Sequence, residues 1–104
     1  MSIVHVMAVI TVKPGTRADV LVAFNNNVPN VLNEDGCIEY SATIDTVNAG
    51  PFQTSFGNDT FVVVEKWQSL DHLKAHIATP HMVAYAATVK DWLADRVIHV
   101  MNPV

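Results

Sequence analysis

The chain has 104 residues, half of them hydrophobic and 15% charged, and six Lys+Arg against ten Asp+Glu leave a net charge of −4. That composition excludes a disordered or low-complexity chain and fits one domain over residues 1–104 with a core of its own. The acidic balance argues against nucleic acid and anionic membranes as partners, and no apolar run nears the roughly 20 residues that span a bilayer.

The first predicted strand is Ile3–Val12, rich in Val and Ile and stopped by Lys13-Pro14-Gly15. It lacks the basic region and cleavage site of a signal peptide. A helix is predicted from Thr16, whose hydroxyl can cap the N–H of Asp19. Its apolar residues Val20, Leu21, Phe24, Val28, Val31 and Leu32 recur at helical spacing. Pro29 predicts a kink, and Gly36 a left-handed end.

A second strand is predicted over Cys37–Val47, followed by a polar loop, Asn48–Asp59, that is long for a hairpin. Cys37 is the single cysteine, which excludes an internal disulfide and CxxC pairs and fits a cytoplasmic, reduced protein. The third strand is Thr60–Trp67. Ser69 then caps a short helix with Leu70, Leu73 and Ile77 as its apolar stripe. Thr79-Pro80 opens another helix that runs to about Ala94. A last strand, Arg96–Met101, follows.

The order β-α-β then β-α-α-β predicts an α+β, ferredoxin-like split arrangement, a four-stranded antiparallel sheet with helices on one face. Strands one and three are almost continuously apolar, whereas a sheet with one wet face should alternate. Mean hydropathy, +0.24, is high for a small monomer. Both observations predict a homodimer packed sheet to sheet, each copy covering the other's open face.

Candidate chemistry lies in the second half. His72 and His76 are four apart on one helix, but no HExxH glutamate accompanies them and no cysteine is near, so no metal is expected. His76 lies roughly 90° from the stripe centre, a boundary residue able to take a proton from a phenolic hydroxyl or to serve as a half-buried structural His. His81, Tyr85, Thr88 and Trp92 form one row on the next helix. The row can wall a pocket or merely shade from core to water. The helix dipole at His81 favours a neutral imidazole. Trp67 shares a strand face with Phe61, Val63 and Glu65 and is either core or a stacking platform. No glycine-rich phosphate loop is present, so no nucleotide cofactor is expected.

Lys13-Pro14-Gly15, the run Gly36-Cys37-Ile38-Glu39-Tyr40, and the segment Glu65-Lys66-Trp67 through Leu73, His76, Thr79-Pro80-His81 to Tyr85 resemble the antibiotic biosynthesis monooxygenase family over nearly the whole chain. The resemblance implies a dimeric α+β barrel with a pocket between sheet and helices, where Trp67 lines the substrate cavity. It also implies oxygenation of an electron-rich phenol or hydroquinone by O2 with no metal or flavin. Haem-degrading relatives need an Asn on strand one and a His on the late helix. Strand one of this chain has no Asn, and the corresponding part of its late helix reads Ala84-Tyr85-Ala86-Ala87, so a haem role is not expected.

The reading that follows is a cofactor-free monooxygenase of a small aromatic hydroquinone. His76 or His81 is the base, Trp67 stacks on the ring, Tyr85 bonds the developing oxyanion, and Trp92 extends the wall. The rival readings are a proton-transfer isomerase of a small hydroxy-carbonyl compound and a dimeric binding module without turnover.

Overall fold

The computed structural model describes residues 2–104. The elements follow as β1 (Val4–Val12), α1 (Arg17–Leu32), β2 (Cys37–Thr43), β3 (Thr60–Trp67), α2 (Leu70–Ile77), α3 (Pro80–Val89) and β4 (Leu93–Met101), with a 3₁₀ turn at Lys90–Trp92 before β4. The strands form one antiparallel sheet in the order β2-β3-β1-β4. This is the predicted α+β, ferredoxin-like βαββααβ arrangement.

Strand alternation decides what faces the helices. On β1 these are Val4, Val6, Ala8, Ile10 and Val12, all buried. Their β3 partners Trp67, Glu65, Val63 and Phe61 lie directly across, so the Trp67 face of β3 is the helix face. Val20, Phe24 and Val31 of α1, Leu73 of α2 and Val89 of α3 close the core over it.

The opposite face carries Met7 beside Val64, and Val9 between Val62 and Val97. Part of it is covered by the chain itself. The connection 44–59 folds back over β3, leaving a cavity of about 220 Å³ walled by Met7, Val62 and Val64 below and Ile44 and Phe56 above. Val62 is buried for that reason. The Asp45 carboxylate closes the loop by accepting the N–H groups of Phe56 and Gly57 at 3.0 and 2.9 Å, which hold its pKa below the ordinary value. Arg17 pins the same loop by donating to the carbonyls of Gly57 and Thr60. On β4, Val97 and Met101 on this face and Ile98 and Val100 on the helix side are all 42–49% exposed.

Several boundaries differ from expectation. The second strand stops at Thr43 rather than Val47, because Asp45 is taken up by the loop closure. α1 runs through Pro29 to Leu32, within the range expected for it. The proline is exposed and near the end, where losing one N–H bond is tolerated. Thr16 does not cap with its hydroxyl, which donates instead to the Lys13 carbonyl at 2.7 Å. The late helix ends at Val89, not Ala94. There the Lys13 N–H draws in the Trp92 carbonyl at 2.8 Å and starts β4 opposite Val12.

Candidate active site

The turn after α1 places the first component. Gly36 adopts φ +82, a left-handed conformation open to glycine, and a Cβ there would collide with the His72 ring. Its carbonyl accepts the Gln68 N–H at 2.9 Å, so the turn docks on the start of α2. Ser69 caps that helix as predicted, its Oγ accepting the His72 N–H at 3.2 Å. This docking carries Glu34 under α2 and α3, 42 residues from one histidine and 47 from another.

Glu34 is 10% exposed and holds both histidines. His76 Nδ1 lies 2.9 and 3.1 Å from its two carboxylate oxygens, and His81 Nε2 lies 2.7 Å from Oε2. A carboxylate only accepts, so both facing nitrogens carry protons. Neutral His81 is then the Nε2–H tautomer with Nδ1 free to accept, and neutral His76 is the Nδ1–H tautomer. The three groups surround one another rather than a common point. Among the described residues no group of His, Cys, Asp and Glu is placed to hold a metal ion.

Behind this cluster lies an aromatic stack. His76, only 3% exposed, lies over Trp67 with ring centroids 4.6 Å apart and planes tilted by 36°. Trp67 is fully buried, and its Nε1–H donates to Glu65 Oε1 at 2.9 Å. Burial raises the Glu65 pKa, partly offset by that bond and by His76. Tyr40 meets the His76 edge at 5.4 Å and stacks on Phe24 at 5.1 Å. Phe24 in turn meets Tyr85 edge-on at 6.0 Å.

In front of it, α1 and α3 part to leave a cleft of about 310 Å³. Ala23, Asn26, Asn27 and Asn30 line one side, and His81, Ala84, Tyr85 and Thr88 the other. Burial pushes the Tyr85 phenol up to about 12, so it remains a hydrogen-bond donor at neutral pH.

The family model for "Antibiotic biosynthesis monooxygenase" matches residues 3–88. The chain belongs to this family. The "Probable quinol monooxygenase YgiN" of Escherichia coli is 40% identical over 100 residues, covering 94% of this chain and 95% of that protein. Among solved structures, PA3566 from Pseudomonas aeruginosa superposes with a TM-score of 0.83 at 19% identity, over 100% of this chain and 96% of that one. Rv0793 from Mycobacterium tuberculosis gives 0.79 at 23% identity, over 99% and 96%. At those identities the two structures speak for the fold alone.

Of the family member's expected site residues, His81 and Tyr85 line the cleft together, with Thr88 in the same row. His76 joins them through Glu34. Its boundary position on α2 is corrected: the helix docks through Leu73 and His76, while Leu70 and Ile77 are exposed. Trp67 has its ring against His76 and no exposed surface, so stacking on a ligand would require His76 to move. Trp92 leaves the row altogether, because it sits on the 3₁₀ turn beyond α3. Glu34, absent from the expectation, lies in a turn far from the helical motifs. The acidic residue two before a turn glycine was the only signal for it.

Proposed function

We propose that this chain is a monooxygenase that hydroxylates a small aromatic hydroquinone with molecular oxygen, without metal or flavin, in the α1–α3 cleft. Its family and its likeness to a protein named "Probable quinol monooxygenase" support the reaction class. The observation that carries the site is Glu34 Oε2, 2.7 Å from His81 at the cleft and 2.9 Å from His76 behind it.

In this reading His81 Nδ1 takes the phenolic proton, and Glu34 stabilises the imidazolium that forms, as a carboxylate does for a catalytic histidine. His76 holds Glu34 from the core side. Tyr85 donates to the other ring oxygen, which gains carbonyl character as the ring is oxidised. The deprotonated ring gives one electron to O2, and the radical pair combines to form a C–O bond. The balance closes without an external reductant: hydroquinone plus O2 gives hydroxyquinone plus water. One oxygen atom enters the ring, the other leaves as water, and the ring supplies all four electrons.

The test is oxygen uptake with ¹⁸O2 on metal- and flavin-free protein. One O2 consumed per hydroquinone and one labelled oxygen in the product support the reading, with a loss of at least 100-fold in His81→Ala. Turnover without oxygen uptake would instead favour an isomerase, and ligand binding without turnover a binding module.

The same proposal includes a second copy of the chain on the open sheet face. Val97 and Met101 there, on the bare strand β4, form an apolar surface that the loop 44–59 leaves uncovered. A two-fold pairing of sheets would bury it. Light scattering at micromolar concentration should give twice the chain mass, and Val97→Lys should shift it toward one. A single-chain mass in the unmodified protein would overturn this part.

A further inference from the structure

A seam between two packed helices is ordinarily apolar, yet the seam of α1 and α3 is lined by three asparagines facing a histidine and a tyrosine. Ala23 and Ala84 are small enough to keep it open. Asn27 is buried with both ends of its amide bonded, its Nδ2 donating to Met82 Sδ at 3.4 Å while its Oδ1 accepts Asn30 Nδ2 at 3.2 Å. That chain orients Asn30, leaving its carbonyl oxygen and one N–H free toward the cleft. Asn26, one residue before Asn27, lines the same cleft without a side-chain hydrogen bond to protein.

We propose that this amide row selects the substrate. The cleft favours a compact ring bearing at least one hydroxyl or carbonyl oxygen beyond the pair that is oxidised, over a fused or hydrocarbon-tailed hydroquinone. The proposal rests on the monooxygenase reading for the reacting ring and goes beyond it in naming the substrate class. Two ring oxygens are met by His81 and Tyr85. A third meets Asn26 or Asn30, which would otherwise lose water without gaining a partner. A hydrocarbon substituent lying there would desolvate the amides and return nothing, the kind of mismatch by which polar sites reject apolar analogues.

The test compares kcat/KM for 1,2,4-trihydroxybenzene, 1,4-dihydroxybenzene and 1,4-dihydroxynaphthalene, each corrected for spontaneous oxidation, in the unmodified protein and in Asn26→Leu/Asn30→Leu. Both positions are solvent-exposed, and a thermal melt checks that the double variant folds. The triol is favoured about tenfold to hundredfold, and the variant brings the ratio close to one. Calorimetry with 1,3,5-trihydroxybenzene against 1,3-dihydroxybenzene gives the same preference in Kd without turnover. Hydroquinone turnover with no preference, or a preference that the variant leaves intact, overturns the proposal while the monooxygenase reading stands. A Kd preference abolished by the variant, with no oxygen consumed on any hydroquinone, supports the selectivity and sinks the reaction instead.

Discussion

Replacing Glu34 by Gln changes almost no volume but removes the charge on which two histidines converge. Its backbone is anchored by a bond from its own N–H to the Val31 carbonyl at 2.9 Å, so the side chain should keep its position. An amide offers one accepting oxygen and one donating nitrogen. If the oxygen stays at Oε2, the nitrogen faces His76 Nδ1 at the 3.1 Å now spanned by Oε1, and two donors oppose each other. If the amide turns over, His81 meets the donor and adopts the Nδ1–H tautomer, which has no acceptor for the substrate. Either outcome also removes the charge that stabilises imidazolium at His81. A general base contributes about 10²–10⁴-fold, or about 2.7–5.4 kcal/mol of barrier, and Glu34→Gln should lose a comparable factor in kcat/KM. Loss of a charge-assisted bond costs about 1.5–3 kcal/mol, so Tm should also fall by roughly 6–24 °C. The assay is hydroquinone-dependent oxygen consumption at a temperature where circular dichroism shows the variant folded. A loss of less than tenfold there would refute the role given to Glu34.

Three other outcomes follow from single groups. A carboxyl whose pKa is raised by folding, as at Glu65, keeps its proton where the unfolded chain has lost it. Stability therefore falls as pH rises from the ordinary Glu value toward the raised folded one, and Glu65→Gln, which still accepts from Trp67, should gain on the unmodified protein over that rise. Parallel Tm profiles would contradict this. Gly36→Ala should cost at least about 1–2 kcal/mol in urea denaturation, from its left-handed backbone alone and before the collision with His72 is counted. Burial first, then Glu34 and Glu65, raise the Cys37 thiol from 9.0 to about 11. Iodoacetamide at pH 7.5 should thus label it about 100-fold more slowly than a free cysteine, and labelling at the free rate would contradict that environment.

Much of the fold was legible because its signals are local. The runs Val4–Val12 and Thr60–Trp67 are too apolar and β-branched for anything but strands, and Ser69 announces its helix by its own hydroxyl. The histidines were legible as residue types, but their setting was not. A helical wheel assumes that the apolar stripe faces the core, whereas the eight-residue α2 docks at an angle set by the Gly36 turn and leaves Leu70 and Ile77 in water. Glu34 owes its place to that same docking, which no local spacing encodes. Trp92 shows a further limit: helical periodicity continues through Lys90–Trp92, but pairing of β4 with β1 claims the chain first. The long loop was visible as a loop, while its return over the open sheet depends on the Asp45 and Arg17 bonds across 11 to 43 residues.

The most direct measurement of the Glu34 arrangement is long-range ¹H–¹⁵N correlation of the imidazole rings at the pH of turnover. It should find His81 protonated at Nε2 and bare at Nδ1, and His76 protonated at Nδ1, with both patterns scrambled in Glu34→Gln. A His81 ring carrying its single proton on Nδ1 in the unmodified protein would leave the cleft without its base.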